Sequence, residues 1–233
     1  MTRAPSTLLR TSAFHRVDEQ VVKRIIAEAD EVRLERGGAL WAEGSPATHI
    51  GWVRTGLVRE LVRRGERELL FGFHGRGEIV GDTGALEALA RPGVVHSATV
   101  EAHEQSVVLL LGVRRLAELA ARDPELACGL AATSAERSRR MEDKLISAVY
   151  RSAPARMARV VLELGQRFGV RDSRGVIVNV RLTHRELAAL AGASRETASN
   201  TLSDWRRSGL VLVEGKRIVL LDTDRLGSVA EDA

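Results

Sequence analysis

Apolar residues between 14 and 29 fall at Val17, Val21, Val22, Ile25 and Ile26, a spacing that predicts a short amphipathic helix over Phe14–Ala29. The period then changes. Val32, Leu34, Leu40, Trp41, Ile50, Trp52, Val53, Leu57, Val58 and Leu61 form short runs, broken every few residues by Gly37-Gly38, Gly44 and Gly56. Arg64-Gly65-Glu66 predicts a hairpin between strands at Val58–Val62 and Glu68–Phe73, and further strands are expected around Ser97–Glu101 and Ser106–Leu111. Between them lies a glycine-rich stretch at Gly75, Gly77, Gly81 and Gly84. Evenly spaced short strands with glycine turns predict an antiparallel roll of about eight strands.

Helical periodicity returns at Val113–Ala121. Asp123 then caps, and Pro124 opens, a long helix expected to run to about Arg151. Along it Ala127, Ala131, Ser134, Ser138, Met141, Leu145 and Ala148 alternate at spacings of three and four, which predicts a narrow coiled-coil seam and hence a homodimer. The charged residues beside it, Arg137 among them, are expected to be solvated flanks. Ser152 to Pro154 cap a further helix through Phe168 whose inner face is Met157, Val160, Val161 and Leu164. Gly175–Val180 predicts a short strand, and Leu210–Val213 with Arg217–Leu221 a hairpin tipped by Glu214-Gly215-Lys216. The last residues, Gly227–Ala233, are expected to fray.

Between those strands, Leu182–Gly209 (LTHRELAALAGASRETASNTLSDWRRSG) predicts two short helices and a tight turn. Thr183 and Glu186 have capping-box spacing, Gly192 occupies the turn, and Ser194 caps a second helix ending near Ser208 and Gly209. Ala198, Thr201, Leu202 and Trp205 form that helix's inner face; Arg195, Glu196, Ser199, Asn200 and Ser203 form the opposite one. Arg, Glu, Ser and Asn near a helix N-terminus have the donors and acceptors that read base edges. A charged outer face is equally what a solvated hairpin shows, so specific residues must decide. GASRETAS resembles the recognition-helix entry of the Crp/Fnr family of bacterial transcription regulators, which reads G-x-S-R-E-T-[VIA]. The resemblance extends over nearly the whole chain, since the glycine-punctuated strands resemble that family's cyclic-nucleotide-binding β-roll.

The family implies an α+β fold: an N-terminal antiparallel β-roll (a cupin-like jelly roll), a long dimerisation helix and a C-terminal winged helix-turn-helix. The expected divisions are a sensor roll over 1–112, a short helix and the dimerisation helix over 113–151, and the DNA-binding domain over 152–233. By the same resemblance, Arg195, Glu196, Ser199 and Asn200 contact bases, while Thr183, Arg185, Ser194, Arg206, Lys216 and Arg217 contact phosphates, which position without specifying. Arg195 suits guanine O6/N7 and Asn200 suits adenine. Cyclic-AMP-responsive relatives often carry Arg or Lys at the position of Asn200, so the half-site is expected to depart from theirs.

The family's phosphate-binding cassette, G-E-[LIA] followed by R-[ST]-A, aligns with Gly81-Asp82-Thr83 and His96-Ser97-Ala98. Asp82 is one methylene shorter than the glutamate that holds a ribose hydroxyl. His96 stands where an arginine forks onto the cyclic phosphate, and it cannot supply that bidentate, always-charged contact. The residues that touch adenine align with Met141 and Glu142. These departures argue against control by cyclic AMP in the usual way. They leave a variant pocket for cyclic AMP, cyclic GMP or cyclic di-GMP with Arg91 as a source of charge, an unidentified small-molecule effector, or no ligand. Haem would need His74, His96 or Cys128 as an axial ligand, and the family's iron–sulfur branch needs a cysteine cluster that the single Cys128 does not provide.

Composition narrows the picture. The chain of 233 residues has a net charge of +4. Residues 1–150 carry 21 basic and 21 acidic side chains, and residues 151–233 carry 14 and 10, so the surplus accompanies the helix-turn-helix. With no run of 18 apolar residues and no apolar core in Met1–Arg10, a cytoplasmic protein without membrane attachment is expected. There is no GxSxG, HExxH or P-loop, so the chain is not expected to be an enzyme, nor to hold a metal. The partners expected are palindromic double-stranded DNA, a second copy of the chain and, by the family, RNA polymerase. The competing class is a sensor or interaction module whose winged helix binds protein, for which the outer face lacks aromatic and leucine anchors.

Overall fold

A computed structural model describes residues 17–232. The character of Met1–Arg10 and the start of the first helix at Phe14 lie outside these residues. The chain forms two compact units, one running up to Arg67 with Phe71–Arg140, the other joining Glu68–Leu70 to Met141 onward.

The first unit begins with α1 (Glu19–Glu28), capped by Asp18, which accepts from the Gln20 amide at 2.6 Å. Eight strands follow: β1 (Asp30–Leu34), β2 (Ala39–Trp41), β3 (His49–Thr55), β4 (Val58–Arg64), β5 (Arg67–His74), β6 (Ile79–Val80), β7 (Thr99–Ala102) and β8 (Ser106–Gly112). They form two four-stranded sheets, ordered β1-β8-β3-β6 and β2-β7-β4-β5. Strand periodicity divides the core. Ile50, Trp52, Leu109 and Leu111 point to one face and pack with Ile25, Leu116, Leu126 and Leu130. Val53 and Val108, one residue out of step, point to the other and pack with Val58, Val80 and Val100. Three helices complete the unit: α2 (Asp82–Ala90), α3 (Val113–Arg122) and the first part of α4 (Pro124–Tyr150). The predicted long helix is therefore present almost to the residue, whereas α2 replaces what the sequence presented as glycine-rich loop.

The second unit contains α5 (Ala153–Phe168), β9 (Gly169–Arg171), β10 (Val176–Val178), α6 (His184–Ala191), α7 (Arg195–Arg207), β11 (Val211–Glu214), β12 (Arg217–Leu220) and α8 (Thr223–Glu231). Its sheet runs β11-β12-β10-β9, with β11 and β12 the expected hairpin. Ser152 caps α5, accepting from the Ala155 amide at 3.3 Å. Two expectations are corrected. The strand at Gly175–Val180 is shorter, and it pairs with β9, which the sequence did not announce. The C-terminal residues do not fray at Gly227, because Asp222 caps α8 and that helix buries Leu226 and Ala230.

Candidate nucleic-acid interface and sensor pocket

The helix-turn-helix is built by its caps. Thr183 Oγ1 accepts from the Glu186 amide at 3.2 Å, and Glu186 Oε2 accepts from the Thr183 amide at 2.8 Å, completing the capping box that starts α6. Gly192 ends it with φ +60°, a left-handed backbone that a residue with a Cβ rarely adopts. Ser194 Oγ then accepts from the Thr197 amide at 2.9 Å and starts α7. Arg156 fixes the turn from α5, its guanidinium donating to the Ala191 carbonyl at 2.7 Å and the Gly192 carbonyl at 2.9 Å.

Ala198, Thr201, Leu202 and Trp205 are buried, as their spacing predicted. That fixes the rotation of α7 and turns Arg195, Glu196 and Asn200 outward, exposed, with Ser199 half-buried beside them. Arg185, Ser194, Arg206, Lys216 and Arg217 are also exposed on the same unit, while Thr183 is half-buried and committed to its cap. Ser199 is tied down as well: its hydroxyl lies 2.9 Å from the Arg195 carbonyl and 2.8 Å from His184 Nδ1. His184 carries no signal in the sequence beyond its place beside Thr183.

In the first unit Gly81, Asp82 and His96 come together, while Thr83 and Ser97 are exposed and Met141 belongs to the other unit. His96 does not face an open pocket. Its ring stacks flat on Trp41, centroids 4.2 Å apart and planes 2° off parallel. Gly81, at φ +72°, leaves room for this stack, since a Cβ there would stand 2.6 Å from the Trp41 ring. Burial lowers the pKa of His96; the Glu60 charge opposes that and His49 reinforces it. A neutral, stacked imidazole is a poor grip for a phosphate.

The charge that is present comes from Arg137, which the sequence placed in a solvated flank. The structure overturns that reading. Arg137 follows the inward positions Leu126 and Leu130 of α4 at helical spacing, and its guanidinium is held between Glu60 and Asp82, at 3.0 Å from Asp82 Oδ1. His74 Nε2 donates to Glu60 Oε2 at 3.2 Å. Burial works to raise the Glu60 pKa, but the His74 hydrogen bond and the Arg137 charge outweigh it and hold it at about 2. Asp82 Oδ2 is buried and has no hydrogen-bond partner among the described residues. Arg91, considered as a source of ligand-binding charge, instead pairs with Glu87 one turn back on α2.

Elsewhere along α4, Leu86, Leu89, Ala120, Ala127, Leu130, Ala131, Ser134, Ala135 and Ser138 line a groove of about 540 Å³. It holds four of the predicted seam positions. Further along α4, Leu145, Ile146, Val149 and Tyr150 are 67, 55, 66 and 73% exposed, and Ala148 is exposed with them.

Known proteins match both units. A family model for the cyclic nucleotide-binding domain covers residues 31–123, and one for the Crp-like helix-turn-helix domain covers residues 155–229. A CRP-like cAMP-activated global transcriptional regulator of Mycobacterium tuberculosis is 29% identical over 221 residues, 94% of this chain and 96% of that protein. The structure of FixK2 from Bradyrhizobium japonicum superposes with TM-score 0.75 at 26% identity, covering 88% of this chain and 98% of that one. A CRP-family transcriptional regulator from Thermus thermophilus does so with TM-score 0.71 at 27% identity, covering 87% and 97%.

Proposed function

The chain belongs to the Crp/Fnr family of DNA-binding transcription regulators, and from that premise we propose that it acts as a homodimer reading a palindromic operator through Arg195, Glu196, Ser199 and Asn200, without control by cyclic AMP in the usual way. The observation that carries the base-reading role is the burial of Ala198, Leu202 and Trp205, which leaves the Arg195–Glu196–Asn200 face of α7 exposed. Arg195 supplies a fork for guanine O6 and N7, and Glu196 accepts from a cytosine amino group. Arg185, Arg206, Lys216 and Arg217 supply the phosphate contacts. The exposed apolar stripe of α4 supports the homodimer, and a twofold protein matches half-sites about one helical turn apart.

The departure from cyclic AMP control rests on the pocket. Trp41 fills the space against Gly81, burial favours the neutral form of His96, and the Arg137 guanidinium is already held by two carboxylates. An incoming phosphate meets the carboxylates of Glu60 and Asp82, with the Arg137 charge beside them already engaged. The relative in Mycobacterium tuberculosis is described as cAMP-activated, so this part of the proposal stands on the geometry of this chain's own pocket and not on that relative.

Selection of bound duplexes from a randomised library tests both parts. The wild type is expected to enrich one palindrome to the same degree with and without cyclic AMP. Arg195→Ala is expected to lose about 1–3 kcal/mol on that palindrome while keeping non-specific affinity. Undiminished retention by Arg195→Ala refutes the reading head, and enrichment that requires cyclic AMP refutes the pocket reading.

A further inference from the structure

We infer that His184 sets the hydrogen-bonding polarity of Ser199 and so selects which base edges that serine accepts; this rests on the reading that the outer face of α7 meets bases. A serine hydroxyl has one hydrogen and two lone pairs, so alone it is indifferent to donors and acceptors on a base. Here it is not alone. Ser199 Oγ lies 2.9 Å from the Arg195 carbonyl oxygen, which can only accept, so the hydroxyl hydrogen is committed there. His184 Nδ1 lies 2.8 Å from the same Oγ. An unprotonated Nδ1 would compete with the Arg195 carbonyl for a single hydrogen and leave two lone pairs facing each other. Nδ1 therefore carries a hydrogen and donates to Ser199.

With its hydrogen and one lone pair used inside the protein, Ser199 offers DNA a single remaining lone pair. It accepts and does not donate. In the major groove that matches the amino groups of adenine N6 and cytosine N4, and it disfavours guanine O6, purine N7 and thymine O4, which are themselves acceptors. Two acceptors in contact leave a desolvated lone pair without a partner, which is costly. His184, the first residue of α6, thus acts through Ser199 as a positioning residue for specificity, although it lies on the other helix of the pair.

The asymmetry of the histidine ring makes the test sharp. The Asn side-chain amide places a donor where His Nδ1 stands, whereas Gln reaches the position of Nε2. Library selection is run with the wild type and with Ser199→Ala, His184→Ala, His184→Asn and His184→Gln. The base position whose preference is lost in Ser199→Ala is the one read by Ser199. There the wild type is expected to favour A or C over G by roughly three- to tenfold. His184→Ala and His184→Gln are expected to flatten that preference, leaving the Arg195-dependent position intact, and His184→Asn to restore it. The inference is overturned if His184→Ala keeps the preference, if His184→Gln restores it as well as His184→Asn does, if the wild type favours G there, or if Ser199→Ala changes no position. If instead Arg195→Ala leaves the whole selected sequence unchanged, it is the base-reading assignment that fails.

Discussion

Arg137, Glu60, Asp82 and His74 show how a few buried charges are made tolerable. Glu60 and Asp82 are 7% and 1% exposed, and each would be costly to bury alone. Arg137 neutralises one carboxylate's worth of charge, and His74 supplies a further donor. Because Glu60 is held at about 2 in the folded state, below its unfolded value, the stability it contributes is present above that unfolded value and is lost as pH falls toward 2. Acid unfolding of the wild type is therefore expected to steepen below about pH 4.5, the range in which an unfolded glutamate takes up a proton. Glu60→Gln is expected to flatten that limb while lowering stability at pH 7 by about 2–3 kcal/mol. Chemical denaturation at stepped pH reads both. Parallel curves for mutant and wild type would mean that the folded protein does not hold the Glu60 pKa below its unfolded value. None of this was visible in the sequence, where Arg137 stands among Glu136, Arg139 and Arg140 as one charge of many. Only its spacing from Leu126 and Leu130 distinguished it.

Elements were legible in proportion to how much apolar surface they bury in a regular pattern. α4, α5 and α7 each carry an apolar or small-residue stripe, and α6 and α7 have side-chain caps, so their bounds follow from residues that local physics dictates. α2 was hidden because it contains Gly84, a weak helix former. Packing explains that glycine, since a Cβ there would stand 2.9 Å from the Ala47 methyl. β9 is exposed along its whole length and shows no alternation. α8 buries two residues, Leu226 and Ala230, a stripe too thin to announce a helix through Gly227. Yet Arg151 donates to the Ala230 carbonyl, and Leu226 is 0% exposed, so α8 belongs to the core of its unit. Leu226→Ala is expected to cost about 2–5 kcal/mol, the usual range for truncating a fully buried leucine. Urea unfolding checks this: a lower midpoint at unchanged slope is expected, and a loss under 1 kcal/mol would return the segment to the status of a dispensable tail.

At the scale of the whole molecule, five of the seven positions read as a seam lie on surface that a single chain leaves uncovered. Ala127, Ala131, Ser138, Leu145 and Ala148 are all exposed on α4, and Ile146, Val149 and Tyr150 widen the stripe toward its end. The residues are small along the groove beside α2 and α3 and large beyond it. A second α4 could thus approach closely at one end while burying broad apolar surface at the other, and large exposed apolar patches mark such contacts. Leu145→Glu tests this because it changes a side chain that is 67% exposed and therefore leaves the fold of one chain intact. Across a twofold axis it would oppose two carboxylates in an apolar seam. The variant is expected to sediment at half the wild-type mass. Its affinity for a two-half-site operator should fall by about 10²–10⁴, the effective-concentration advantage lost when the second recognition helix is no longer tethered. Its affinity for an isolated half-site should be unchanged, because Arg195 and its neighbours are untouched. The salt dependence of operator binding should also fall to about half the wild-type slope, as half the phosphate contacts remain. A variant that keeps the wild-type mass would place the dimer contact elsewhere. One that falls to half mass yet binds the full operator undiminished would show that a single helix-turn-helix suffices, and the palindrome would lose its physical basis.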